Sequence, residues 1–255
     1  PAQPPAARPA GAENIKLTLS SVRVTDMTVY TDAEVAPLWQ NMIGKTITLA
    51  DVYGLAQKLT AKYRNDGYIL TQVVVPPQTI EGGHVTLRAV EGFVDKVTLQ
   101  GKTRGNQAYL MRYAEKIKAS KPLNSKALER YILLINDLSG MSAKAVLSPS
   151  PTVQGASDIT LIMEEKHVDF VAETDNRGSK YMGPWQINTA ANFNNFFGGY
   201  EGLNLQAVTA PDGQPQREMD YLAFGITEPV GTEGTKVTVN ASVTNTQPGY
   251  TLKQF

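Results

Sequence analysis

Hydrophobic and polar positions follow different patterns in the two parts of this chain. Between residues 15 and 166, short alternating stretches flank longer ones in which apolar residues recur every three or four positions, which predicts strands and helices. The clearest helix follows a capping box at Thr48–Asp51 and ends at Gly67. The predicted order is strand, helix, helix, strand, strand.

This order of elements is predicted twice. The pairs Val94-Asp95 and Val168-Asp169 lie 74 positions apart, and Gly67 and Gly140 each end a long helix. Such a spacing indicates two tandem copies of one small module. We therefore predict a proline-rich, solvated and non-helical lead-in at 1–14, modules at 15–92 and 93–166, and a third region at 167–255.

Helix signals end after residue 166, and period-two alternation replaces them. It predicts five strands near 168–175, 184–197, 201–210, 218–228 and 236–246, with turns between them such as Asp212-Gly213. One face is apolar and the other is mostly Asn, Gln, Ser and Thr. This favours a transmembrane β-barrel wall over a soluble antiparallel sheet. The predicted fold class is α+β followed by all-β: two β-α-α-β-β modules, then the first strands of a barrel.

Composition narrows the function classes. The chain has no cysteine, which excludes disulfides and thiolate catalysis. Residues 1–166 carry 19 Lys and Arg against 15 Asp and Glu, whereas residues 167–255 carry 5 against 9. This asymmetry is too small to indicate nucleic acid binding. Over 93–140 the count is 9 basic against 4 acidic residues, so we expect the second module to attract acidic partners.

Candidate catalytic and metal-binding residues are sparse. The two histidines, His84 and His167, lie on strands without a partner at ligand spacing. Glu173 and Asp175 share a strand face, which in a barrel would be the face toward the water-filled interior. The Gly-Lys-Thr sequences at 44–46 and 101–103 lack the earlier glycine of a phosphate-binding loop. We therefore predict no enzymatic activity, no cofactor and no metal.

The strands that follow the helices are the more informative features. In this element order such a strand lies at the sheet edge beside the long helix, where its free backbone groups can capture an extended peptide. The predicted contact residues are Thr71, Val73 and Val75 on the first edge, Lys144 and Val146 on the second, and Leu59, Tyr63, Tyr131 and Ile135 beside them. We expect a charge or a proline at Lys144 or Val146 to abolish binding. The alternative is that a loop or a neighbouring module covers each edge.

Two motifs carry a resemblance to a known family. Val74–Gln78 followed by Val85–Gly92 resembles the end of the first POTRA domain of two-partner secretion transporters of the haemolysin-activator type. Asp175–Trp185 resembles the start of their barrel. The resemblance covers residues 15–255 and preserves the order of the two motifs.

The resemblance implies an outer-membrane protein of a Gram-negative bacterium. Its two periplasmic POTRA domains would bind an unfolded exoprotein through the N-terminal secretion domain of that partner, and its barrel, in outer-membrane lipid, would pass the partner to the surface. A barrel-assembly factor of the same superfamily and a soluble periplasmic binding module are the alternatives.

The chain also departs from the family pattern. Residues 1–14 cannot form the plug helix that usually precedes the first POTRA domain. Five strands are fewer than the roughly eight that a closed barrel needs. No equivalent of the inward Arg-Gly-aromatic loop is present. We therefore expect a fragment that lacks most of the barrel.

Overall fold

A computed structural model describes residues 8–211 and 219–247 of the chain. The chain folds into two compact units. The first contains the chain up to Leu99, with Ala114–Tyr131 and Ala145–Leu161, and the second contains Gln100–Tyr113, Ile132–Lys144 and the chain from Ile162 onward. Both units include parts of the second predicted module, so the boundaries at 93 and 166 stay a prediction.

The first module is built around a mixed three-stranded sheet. Its elements are β1 (Lys16–Thr18), β2 (Ser21–Thr25), α1 (Asp32–Val35), β3 (Thr46–Thr48), α2 (Leu49–Asn65), β4 (Gln72–Val74) and β5 (His84–Val90). β5 is central, parallel to β2 and antiparallel to β4, and β1 and β3 form a separate antiparallel pair. This topology leaves β4 at an edge of the sheet.

Helix α2 contributes the largest helical surface to the core of this module. The predicted capping box is present: Thr48 Oγ1 accepts from the Asp51 N–H at 3.2 Å, and the Asp51 carboxylate accepts from the Thr48 N–H at 2.8 Å. Gly67 follows the helix with a φ of 98°, a backbone conformation that side chains rarely adopt. The residues that α2 buries are Val52, Leu55, Ala56, Leu59, Thr60 and Tyr63.

The second module repeats the order of helices and strands. Its elements are β6 (Phe93–Gln100), α3 (Gln107–Ala119), α4 (Ser125–Asn136), β7 (Met141–Pro149) and β8 (Ala156–Glu165). The strand order is β6-β8-β7, so β7 lies at an edge. The helices bury Leu110, Tyr113, Ala114, Ile117, Leu128 and Ile135.

The end of α2 and the start of α4 are joined by two hydrogen bonds, one of them from a side chain. The Ser125 N–H donates to the Gly67 carbonyl at 2.8 Å, and Asn124 Nδ2 donates to the Asp66 carbonyl at 3.3 Å. The Asn124 side chain also caps α4, since its Oδ1 accepts from the Lys126 N–H at 2.9 Å. A carbonyl from the end of one helix therefore satisfies an otherwise unpaired N–H at the start of the other.

The last region is one antiparallel sheet. Its strands are β9 (Val168–Asp175), β10 (Gln186–Asn194), β11 (Gly202–Ala210), β12 (Met219–Val230) and β13 (Thr235–Thr246), in the order β13-β12-β11-β10-β9. All five predicted strands are confirmed. In the described part of the chain the sheet is open, with β9 and β13 as its edges.

Several details differ from the sequence-based expectations. The first predicted strand of the module is two short strands, β1 and β2, which pair with different partners. Strand β4 covers only Gln72–Val74, so the predicted contact residues Thr71 and Val75 lie just outside it. Ala12, in the lead-in predicted to be solvated, is fully buried within a 3-10 turn. The rest of that lead-in at residues 1–7 and the predicted turn at Asp212-Gly213 lie outside the described residues.

Candidate functional site: the two edge strands

Strand β4 is an edge strand, as predicted, but part of its edge is already hydrogen-bonded. The Val73 N–H donates to Thr60 Oγ1 on α2 at 2.9 Å, and the Thr60 hydroxyl donates to the Ala56 carbonyl at 2.8 Å. The Thr71 N–H donates to the Tyr68 carbonyl at 3.1 Å. These bonds reduce the number of backbone groups that β4 offers to an added strand.

A groove of about 290 Å³ runs between α2 and β4. Its helical wall carries Tyr53, Gln57 and Arg64, and its strand wall includes Val73 and Val75. The sequence analysis missed Tyr53, although Tyr53, Gln57, Thr60 and Arg64 recur at the spacing of one helix face.

Two of the predicted contact residues lie in the core instead of the groove. Leu59 and Tyr63 are fully buried, and the Tyr63 hydroxyl donates to the Glu91 carboxylate at 2.7 Å. Burial, together with this hydrogen bond, raises the pKa of Tyr63 above its ordinary value. Tyr63 is therefore part of the core and does not line the groove. Thr71 is also buried, with 1% of its surface exposed.

Strand β7 offers the longer of the two edges. Its nine residues begin beside the end of α4, where the Asn136 side chain bonds both backbone groups of Ala143. Asn136 Nδ2 donates to the Ala143 carbonyl at 3.2 Å, and Asn136 Oδ1 accepts from the Ala143 N–H. This amide occupies the position that a peptide group of an added strand would take. The backbone groups of Ala143 are therefore already paired, and an added strand would bond further along the edge.

The direction of the Ala143 groups determines which other groups point outward. In a strand, the N–H and C=O of one residue point to one side, and the side alternates along the chain. Because Ala143 bonds Asn136, the groups of Ala145 and Leu147 point away from β8. The Ser150 N–H confirms the alternation, because it donates to the Ala156 carbonyl at the start of β8, at 3.0 Å.

This alternation changes the expected effect of proline at Lys144 and Val146. Their backbone groups point toward β8, so proline there would remove a hydrogen bond from the protein's own sheet. Their side chains are exposed, Val146 to 50%, and remain candidates for contact with a bound peptide. Beside this edge Tyr131 is half-buried, whereas Ile135 is fully buried and belongs to the core.

The five-stranded sheet has two chemically different faces, as its register shows. Phe170, Ala191, Leu205, Phe224 and Ala241 form one cross-strand row. On the opposite face, amides bond across strands: Asn204 to Asn192 at 2.7 Å and Gln206 to Asn188 at 3.1 Å. The large apolar residues exposed on the first face are Val168, Phe170, Ile187, Leu205, Leu222, Phe224, Val230, Val237, Val239 and Val243.

Two acidic residues of β12 lie toward the ends of the apolar face. Asp220 and Glu228 lie on the same face as Phe224, four positions before and after it. At about 3.3 Å per residue they are roughly 26 Å apart along the strand, which a tilt of about 40° shortens to roughly 20 Å along a barrel axis, within the apolar band of roughly 25 Å in outer-membrane barrels.

Several acidic and histidine side chains have structural partners. Asp175 Oδ1 accepts from the Arg177 N–H at 2.9 Å. Glu165 accepts from the Arg104 N–H at 2.7 Å and from Asn195 Nδ2 at 2.6 Å. His84 Nδ1 lies 2.8 Å from the Ser21 hydroxyl. Within 8–211 and 219–247, no group of three acidic or histidine residues is arranged to hold a metal ion. In the same part of the chain, no helix is long and apolar enough to cross a membrane.

Comparison with known proteins identifies the class of the first module. Residues 17–92 match the family model of the POTRA domain, ShlB-type. The first module therefore belongs to the ShlB-type POTRA family, which agrees with the sequence motifs that end at Gly92.

Over most of its length, the first module included, the chain is similar to proteins named as transporters. It is 29% identical over 202 residues to the heme/hemopexin transporter protein HuxB of Haemophilus influenzae strain 86-028NP, covering 78% of this chain and 36% of HuxB. It is 25% identical over 223 residues to the outer membrane transporter CdiB of Escherichia coli strain 536, covering 87% of this chain and 37% of that protein. The resemblance to two-partner secretion transporters is confirmed.

A solved structure supports the fold over most of the chain. The structure of CdiB from Escherichia coli matches with a TM-score of 0.76 and 24% identity, covering 93% of this chain and 44% of that one. The predicted fold class, POTRA modules followed by antiparallel barrel strands, is therefore confirmed. The chain spans a little over a third of the length of the curated relatives it matches.

Proposed function

We propose that this chain is part of an outer-membrane transporter that secretes a partner exoprotein. Its periplasmic POTRA modules bind the unfolded partner, called the client below, by β-strand addition and feed it to the barrel. The protein has no enzymatic activity in this proposal. The names of the relatives, which are those of transporters, support secretion over barrel assembly. The apolar face of β9–β13 supports lipid contact and disfavours the soluble alternative.

The observation that carries the proposal is the outward edge of β7 beyond Ala143. The Asn136 side chain pairs with Ala143 and so identifies the side of β7 that faces away from β8. The outward groups of Ala145 and Leu147 continue the same edge and are the ones offered to an added strand. We therefore assign the main client edge to β7, and β4 with its groove to a second, shorter contact.

A proline series tests strand addition through β7. Ala145→Pro removes an outward N–H without removing a bond to β8, so the fold should persist while client affinity falls about three-fold to ten-fold, the effect of one hydrogen bond. Ala145→Val is the matched control, because it keeps the N–H. The probes are overlapping peptides from the N-terminal region of a large secreted protein encoded beside this chain, measured by fluorescence anisotropy with the chain in detergent.

Two outcomes would contradict the assignment. If Ala145→Pro binds as tightly as Ala145→Val while circular dichroism stays native, β7 is not the client edge. If no peptide from the candidate binds the unchanged chain, the proposed partner is wrong. Val146→Pro is an internal check, because it removes a bond to β8 and should lower the melting temperature.

A further inference from the structure

A second cavity lies beside β4. Its volume is about 360 Å³, and it is bounded by β4, β5 and the turn between β7 and β8. Two arginines line it, Arg64 from the end of α2 and Arg88 from β5. The polar groups of Gln72, Ser150 and Gln154 also line it. No acidic residue is among the lining residues of this described cavity.

The positive charge of these arginines is not neutralised by the chain. In the part of the chain that the structure describes, no hydrogen bond or ion pair involves either guanidinium group, although the neighbouring Lys62 pairs with Asp66 at 3.0 Å. Glu91 is next to the lining residue Val90, but its carboxylate is bonded to Thr28 and Tyr63.

One further acid lies near the cavity. The Asp95 carboxylate accepts from the Ser150 hydroxyl at 3.4 Å, but Asp95 does not line the cavity. Two cations therefore share a concave surface that lacks an opposite charge, and an anion that binds between them would gain from both.

The cavity is continuous with the surfaces that an extended client would use. Arg64, Gln72 and Val74 line both this cavity and the groove between α2 and β4. Pro149, the last residue of β7, also lines it. A chain that follows either edge strand therefore reaches the arginines.

We propose that Arg64 and Arg88 bind a carboxylate side chain of the client, an Asp or Glu within or next to its added strand. The inference rests on the proposed function and adds a chemical preference to it. Backbone pairing alone tolerates many sequences, whereas an Arg pair selects an acidic side chain by charge-assisted hydrogen bonds.

A double-mutant cycle tests this preference. The probe is the tightest-binding peptide of the tiled set that contains an acid, compared with the same peptide carrying the corresponding amide. The proteins are the full chain, its Arg64→Gln/Arg88→Gln variant, and Arg23→Gln as a control for loss of charge on the same module. Arg23 is exposed on β2 and does not line the cavity.

The expected differences in affinity depend on the acidic side chain of the peptide. The amide version should bind the unchanged chain and Arg23→Gln about five-fold to ten-fold more weakly than the acid version, and bind Arg64→Gln/Arg88→Gln as well as the acid version does. Equal affinities of both peptides for the unchanged chain would overturn the carboxylate site and leave strand addition intact. If inorganic phosphate displaces a dye from the cavity while the acid and amide peptides bind with equal affinity, the cavity is a general anion site and the client assignment is overturned. Failure of every peptide to bind would overturn the proposed function itself.

Discussion

Glu91 bonds three separate parts of the first module. Its carboxylate accepts from the Thr28 N–H at 2.8 Å, the Val29 N–H at 3.1 Å and the Tyr63 hydroxyl at 2.7 Å. Burial alone would raise the pKa of Glu91, but the hydrogen bonds from Thr28, Tyr63 and Val29 outweigh burial and hold the pKa below its ordinary value. One side chain thus connects the segment after β2, helix α2 and the end of β5.

We predict that Glu91→Gln lowers the free energy of unfolding by about 1–2 kcal/mol at pH 7, since the charge-assisted bonds become neutral ones. The folded-state pKa is depressed, so the stabilisation is present above about pH 4.5 and is lost as the pH falls through the folded-state value. Urea unfolding between pH 3 and 7 checks this, with the exposed Glu81→Gln as control. Equal acid sensitivity of Glu91→Gln and the unchanged chain would contradict it.

At the scale of the elements, each long helix uses one side chain to cap the edge strand beside it. Thr60 of α2 bonds the Val73 N–H, and Asn136 of α4 bonds both groups of Ala143. Unpaired edges are prone to non-specific pairing with other chains, and a side-chain cap limits it. The two modules therefore share this side-chain capping of the edge strand as well as the order of their elements.

We predict that Asn136→Ala exposes the Ala143 N–H and C=O. Amide exchange at Ala143 should become faster by at least about ten-fold, and the free energy of unfolding should fall by about 1–2 kcal/mol because two backbone groups lose their partner. Hydrogen exchange followed by mass spectrometry and urea unfolding measure the two effects. Ser142→Ala, an exposed change on the same strand, is the control. Unchanged exchange at Ala143 would show that Asn136 does not protect this edge.

For the whole molecule, the decisive feature is the difference between the two faces of β9–β13. The apolar face is exposed across all five strands, whereas amide pairs between β10 and β11 lie on the opposite face. In a membrane, the first face would contact lipid and the second would face water, as in outer-membrane barrels. In water, an apolar face of this size would need a covering partner.

We predict that Phe224→Arg, halfway between Asp220 and Glu228, destabilises the membrane-inserted sheet by about 2–4 kcal/mol. Its neighbour Ala223 lies on the polar face, so Ala223→Arg should cost less than about 1 kcal/mol and is the matched control. Folding into lipid vesicles, followed by band shift on gels and urea titration, separates the two variants. Equal tolerance of arginine at both positions would contradict a lipid-facing role for the apolar side.

Part of the candidate site could be predicted from the sequence because local residue spacing determines it. The capping box at Thr48 and the position of β4 and β7 after the helices follow from local spacing and element order. The sequence-based prediction placed Tyr63 beside the edge strand because periodicity assigns a residue to a helix face without showing whether another element covers that face. In the fold Tyr63 is buried, and its hydroxyl donates to the Glu91 carboxylate.

Residue spacing was enough to predict the repeated order of elements and the two faces of the last sheet, because side-chain direction has a period of 3.6 in helices and two in strands. Which backbone groups of β7 point outward could be read only from the fold, because the contact of Asn136 with Ala143 reveals it. It also brought Arg64, Arg88 and the turn after Pro149 to one cavity. Such groupings depend on sheet order and hydrogen-bond direction, which residue spacing does not encode.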